Sequence, residues 1–466
     1  MKRVAAIAMA GVMALSLAAC GSASSGATQE NEGAAKAEST AASAGESAED
    51  AAQQGAEGGR KLSIALDNIG PEENEARKAY FDEKLKAAFP NDEITITVAD
   101  SAESLQVQVA GGSGPDLFHL NGATDTVEFA KGGRLTDLTP YAEQYGWKDI
   151  FYDWAYNTSF YDGKLYSLPN SFEGMVMFYN TDVFEQNGWE KPTNLAELKE
   201  VCQKAMDAGI MPIAFGNSGY QAGIEWLYST FISCYAGPSN MKAALNGELP
   251  WTDEAIKGGV QTMVDLWNEG YIGEKKTQAL TGDDMVSLFA TGEAAMMING
   301  TWASNALLTT YTDCNWDVES MPELAEGVGS VLPLATGGAF AVNASCKDPD
   351  FAAEVLNWIF TGNLDSHIAG VENAGMQPFP IKTIDADKFT GMDERMLDMY
   401  KALFAGMDSG EVGYCSWTFY PNTVRNYMNE NTDALFLGSL TIDDYLAQVQ
   451  SLDEAAIADG SALKIQ

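Results

Sequence analysis

Histidine is almost missing from this chain: His119 and His367 are the only two in 466 residues, and they lie far apart. No C-x-x-C pair occurs either, so zinc and thioredoxin-like chemistry lack their usual ligands and a transition-metal cargo fits poorly. There is no G-x-S-x-G elbow, no H-E-x-x-H helix and no phosphate-cradling P-loop, which removes the most recognisable catalytic chemistries and leaves no cofactor to expect. Positive charge is scarce too. Against 66 Asp and Glu stand 27 Lys and Arg, a formal net charge of −39. Without a basic stripe to displace phosphate counterions, nucleic acid is excluded as a partner and direct adsorption to anionic lipid is disfavoured. The acidity is read as a solubility feature.

Cysteine is sparse. Beyond Cys20, the five thiols Cys202, Cys234, Cys314, Cys346 and Cys415 are widely spaced in apolar or mixed surroundings. An odd number with no tight spacing reads as buried free thiols.

Large side chains are absent from Ser22 to Gly59, which is nearly all Ala, Ser, Gly, Glu, Gln and Thr. Such a segment buries too little apolar surface to offset its ordering entropy, so residues 21–60 are expected to be a disordered leash reaching ~35 Å r.m.s.. Ahead of it, Lys2 and Arg3 precede an uncharged stretch from Val4 to Ala19 that is short for a membrane span. That stretch ends in Leu17-Ala-Ala-Cys20-Gly, which resembles a bacterial lipobox. The resemblance implies a signal peptide over residues 1–20, a lipidated (palmitate-bearing) Cys20 and attachment to the outer face of the cell membrane. No later apolar run is long enough to cross a bilayer.

About 400 residues remain, too many for one core, and two lobes are expected. Lys61–Leu66, Glu93–Val98 and Pro115–Leu120 read as strands. Helices over 73–89 and 101–110 separate them, which predicts a parallel α/β sheet. Further strands are expected at 164–169, 174–179, 211–215 and 294–298. Helices are expected at 194–208, 255–268 and 283–290, with mainly helix after Asp350.

Five phrases then fall in one order: Gly114-Pro-Asp-Leu-Phe-His-Leu120, Phe129-Ala-Lys-Gly-Gly-Arg-Leu-Thr-Asp-Leu-Thr-Pro140, Tyr161-Asp-Gly-Lys-Leu-Tyr-Ser-Leu-Pro-Asn170 with Met177–Phe184, Phe289–Trp302, and Gly337-Gly-Ala-Phe-Ala-Val-Asn343. In this the chain resembles the extracellular solute-binding proteins of the maltose-binding type, over nearly everything after Arg60. The resemblance implies two α/β lobes, a hinge, and a ligand cleft between the lobes. It places one lobe at 61–170 plus 335–377 and the other at 171–334 plus 378–466, with crossings near Asn170–Phe172, Leu332–Thr336 and Gln377–Phe379. It also implies a monomer that delivers a mono- or oligosaccharide to the permease of an ABC importer. Open α/β sheets bind ligands beyond the carboxyl ends of their strands, which agrees with such a cleft.

A sugar offers hydroxyls for carboxylates and amides and a C–H face for an aromatic plate. Asp67 and Asn68 follow the first strand, with a turn or cap as their other role. Asn121 follows the third strand, and Asn121-Gly122 is also a turn signal. Glu173 stands at the first crossing, where the family carries an acid that contacts sugar. Asn217 and Tyr220 sit in a glycine-rich loop, with Trp226 beyond them or in the core. Asn299-Gly300-Thr301-Trp302 matches the family segment that supplies a stacking Trp, with Thr301 where the family often has Pro. Gly337 and Gly338 allow close backbone approach or a turn. Trp417 resembles the family's late aromatic contact, with Tyr420 as its rival; His119 reads as packed. A tethered glycoside hydrolase remains the alternative from another class, since paired carboxylates cannot be counted out among so many acids. A binding protein for a non-sugar solute is the other alternative.

Overall fold

Strands form where the sequence alternates and where it is apolar throughout, and the two patterns end up in different places. Along the chain they are β1 (Lys61–Leu66), β2 (Glu93–Val98), β3 (Leu117–Leu120), β4 (Phe160–Tyr161), β5 (Lys164–Leu165), β6 (Ser167–Pro169), β7 (Glu173–Asn180), β8 (Met211–Ala214), β9 (Ala294–Gly300), β10 (Trp316–Glu319), β11 (Pro333–Ala335), β12 (Ala339–Val342) and β13 (Gly413–Tyr414). The computed structural model describes residues 59–466 apart from 101, 219–221, 274–278 and 466. Cys20, the signal segment, the leash up to residue 58 and Tyr220 lie outside the described residues.

The first sheet has the order β2-β1-β3-β12-β6. β1 pairs in parallel with β2 and β3, as the strand–helix–strand spacing predicts, and β12 runs antiparallel between β3 and β6. β2 shows solvent most of its residues and is the edge. The second sheet has the order β13-β11-β7-β9-β8, with β10 also on β7. β7 and β9 are buried at every position, the mark of central strands covered on both faces.

Helix ends follow their caps. The Asn194 side chain accepts from the Glu197 N–H at 3.0 Å, and Thr281 forms a reciprocal box with Asp284. The helix expected over 73–89 is broken at Phe81, whose ring turns into the core, giving Pro71–Tyr80 and Asp82–Ala88. One long element escapes the sequence reading: Ala222–Leu245 is helical, interrupted at Gly237 (φ 78°) before Pro238. The strand expected over 294–298 runs two residues further. β9 continues to Gly300, which pairs with Met175.

The chain passes from β6 to β7 across Asn170–Phe172 and from β11 to β12 across Thr336–Gly338. These segments lie side by side: Asn170 N–H donates to Gly338 O (2.9 Å), Gly337 N–H to Ser171 O (3.3 Å) and Phe172 N–H to Pro378 O (3.0 Å). Phe379 stacks on His367, Ile381 bridges Phe151, and Lys382 N–H bonds Ile150 O, so this stretch fills the core under the first sheet. Cys202, Cys234 and Cys415 are buried and all five described thiols are free. Among the described residues no helix is long and apolar enough to cross a membrane.

Candidate functional site

The carboxyl ends of β1 and β3 and the crossings meet at one place. Asp67, the first residue past β1, receives Arg77 Nη1 at 2.8 Å, and Arg77 Nη2 bonds the Asp67 carbonyl at 2.8 Å. Arg77 reaches back from the helix Pro71–Tyr80 and is buried. Burial works against the charge on Asp67, but His119 and Arg77 outweigh it and hold the carboxyl below its usual range. His119, on β3 beside β1, is itself pushed down by burial. These three groups, with Asn170, Ser171 and Gln377, line a recess of ≈ 80 Å³.

Glu173 opens β7 and is buried. Its Oε1 accepts the indole N–H of Trp417 at 3.0 Å. Burial pushes the carboxyl up to about 8; the Trp417 bond opposes this and the charge on Asp67 adds to it. A group in that state holds its proton near neutral pH and can donate as well as accept. Side chains fit this closely only because Gly337 and Gly338 have none. A Cβ on Gly337 would press on the Glu173 carboxyl and the Ser171 hydroxyl, and one on Gly338 would overlap His119.

On the other side of Glu173 stands a run of indoles. The Trp417 and Trp302 centroids are 6.2 Å apart at 74°, and Trp302 and Trp226 are 5.5 Å apart at 58°. Trp302 lies over Gly300, where any side chain would collide with its ring. It is half-buried.

The structure thus brings together Asp67, Glu173, Trp302, Gly338 and Trp417. Asn121 lines a separate small recess together with His119 and the buried Asp125. Three other expected residues have structural work. The Asn68 side chain accepts from Gly70 N–H (3.2 Å) and Asn74 Nδ2 (2.7 Å), fixing the turn into the first helix. Asn217 Oδ1 accepts from Ile224 N–H at 3.0 Å, at the start of the long helix. Tyr420 is withdrawn from the cleft: its ring is sealed in the second core, edge-on to Trp251 at 5.2 Å. Arg77 and Gln377 were not singled out, and His119, read as packed, is buried edge-on to Phe340 while also lining the recess. His119 had a signal, since parallel pairing of Ala65 with Phe118 sets the next residues of β1 and β3 side by side. Among the described residues no group of three or more His, Cys, Asp or Glu is placed to hold a metal.

The family described as bacterial extracellular solute-binding protein matches residues 70–361. The maltotriose-binding protein of Pyrococcus abyssi is 27% identical over 325 residues, 66% of this chain and 64% of its own. The galactooligosaccharide-binding protein of Bacillus subtilis is 25% identical over 338 residues, 65% of this chain and 74% of its own. Among solved structures, a chitin oligosaccharide binding protein superposes with a TM-score of 0.71 at 22% identity, covering 86% of this chain and 99% of that one. At that identity the superposition speaks to the fold, which is the two-lobed α/β architecture.

Proposed function

Because the chain belongs to the bacterial extracellular solute-binding proteins, we propose that it captures a mono- or oligosaccharide between its lobes and hands it to the permease of an ABC importer. The observation that carries the sugar reading is the adjacency of a half-buried Trp302, flanked by two further indoles, to the Glu173 carboxyl and the Asp67–Arg77 pair. An aromatic plate takes the C–H face of a pyranose, while carboxyls and a guanidinium take its hydroxyls. The sugar-binding names of the relatives from Pyrococcus abyssi and Bacillus subtilis support the same class.

The protein acts as a monomer, held on the outer face of the membrane by lipid on Cys20; the lipobox-like ending of the N-terminal stretch supports that anchor. Mass spectrometry of the mature N-terminus checks it, and a chain that starts anywhere but an acylated Cys20 refutes it. Binding without turnover separates this reading from a glycoside hydrolase. Thermal-shift screening with maltotriose, galactooligosaccharides and chitin oligosaccharides is expected to raise the melting temperature with at least one, because that sugar binds only the native state. Recovered sugar is expected to be intact. No shift across a broad saccharide panel would overturn the carbohydrate class.

A further inference from the structure

We infer that Gln377 is a ligand-contacting donor in the recess and that Tyr400 is the positioning residue that fixes its amide. This rests on the carbohydrate reading for the identity of the ligand, but not for the geometry. Tyr400 lies on the helix Glu394–Ser409, is buried, and is packed edge-on against Phe172 at the first crossing. Its hydroxyl donates to Gln377 Oε1 at 3.0 Å. Gln377 is half-buried and lines the same recess as Asp67, Arg77 and Ser171.

The direction of that bond decides what the recess presents. An amide has an acceptor end and a donor end, and only its neighbours tell which way it points. Turning the amide round would face its NH₂ to the phenol and take from a buried hydroxyl proton the acceptor it has at Gln377 Oε1, which is the costly arrangement. With Oε1 committed to Tyr400, the Gln377 NH₂ is the end available to the recess.

There it complements the Asp67 carboxylate, which accepts only. A pair of neighbouring sugar hydroxyls can then receive a bond from Gln377 and give one to Asp67.

The test has two arms on the full folded chain. In ligand-free protein with labelled glutamine side chains, the Gln377 NH₂ protons are expected to show no nuclear Overhauser contact to the Tyr400 ring. Their resonances are expected to shift and broaden in Tyr400→Phe. A strong contact, or unchanged resonances in Tyr400→Phe, would overturn the orientation whether or not any sugar binds. In the second arm, calorimetry uses whichever of maltotriose, galactooligosaccharide or chitin oligosaccharide gives a thermal shift. Gln377→Ala is expected to weaken binding about fivefold to tenfold, the loss of one hydrogen bond. Gln377→Glu is expected to weaken it further, because it replaces the donor with a charged acceptor. Tyr400→Phe should cost about threefold, as the amide becomes free to turn. Parental affinity in Gln377→Ala refutes the contact, whereas a panel that gives no heat with any saccharide refutes the carbohydrate reading and leaves the first arm decisive for the amide.

Discussion

A carboxyl enclosed at the start of β7 lowers its cost by keeping its proton, and Glu173 does so up to about pH 8. The unfolded chain ionises it near 4.5, so the folded state binds the extra proton between those values and its stability falls as pH rises through that window. The stabilising share is complete below pH 4.5 and lost by pH 8, which amounts to about 3 kcal/mol by pH 7. Glu173→Gln keeps an acceptor for Trp417 Nε1 and removes the proton. Urea unfolding at pH 5 and 7.5 is expected to show the parent losing stability over that interval and the variant losing far less; equal slopes would refute a protonated Glu173. Trp302→Ala is expected to weaken saccharide binding about thirtyfold, as loss of a central aromatic anchor does. Because Trp302 also packs on Trp226 and Trp417, its melting temperature will fall too, so affinity must be measured on the folded variant; unchanged affinity makes Trp302 a core residue. Asp67 could be singled out by its place after a strand, and Trp302 and Trp417 by their resemblance to family segments. Arg77 and Gln377 could not, since a helix residue reaching backward and an amide aligned by a phenol 23 positions on depend on contacts that no local pattern encodes.

Short segments decide how the two lobes approach. Gly122 (φ 84°) begins the helix Ala123–Lys131, and a Cβ there would collide with the carbonyl oxygen of Trp417. That oxygen also accepts the Thr124 hydroxyl at 3.2 Å, so the helix start rests directly on the turn that carries the indole bonded to Glu173. Gly133 (φ 65°) has nothing near its missing side chain and measures the backbone term alone. Gly133→Ala is expected to cost roughly 1 kcal/mol from its positive φ, and Gly122→Ala about 2 kcal/mol more, from the Trp417 contact together with a backbone (φ 84°, ψ −178°) open almost only to glycine, with weaker saccharide binding. Equal melting temperatures for the two variants would show that neither the contact nor that backbone adds a cost. The same elements show what a linear pattern reveals. Parallel β1–β2–β3 was legible because each strand is separated by a helix. The helix Ala222–Leu245 was not, because it is buried on nearly every side, so the apolar period that marks a surface helix is lost. β11 and β12, three and four residues long, carry too little alternation to be read as strands.

Across the whole molecule, the bonds that join the lobes away from the hinge range from exposed to buried. Asn305 Nδ2 donates to Glu73 Oε1 at 2.7 Å, and Lys131 Nζ meets Asp459 at 2.7 Å with both side chains largely in water. An exposed ion pair contributes about 0–1 kcal/mol and weakens with salt. A buried pair sits deeper, where Arg425 grips both oxygens of Glu225 and reaches Thr124 Oγ1 at 3.3 Å. The outer contacts therefore bias a closed arrangement only slightly, and a solute that touches both lobes supplies the larger share of the difference. Small-angle scattering is expected to show a smaller radius when a saccharide identified by thermal shift is added at saturation. Asn305→Ala and Lys131→Ala should each leave the saturated radius unchanged while enlarging the ligand-free one. Affinity should drop about twofold to threefold in each, because a smaller fraction of the free protein is already closed. If the radius does not fall with saturating saccharide, the lobes are held together by their own contacts, and the solute enters without any closing motion.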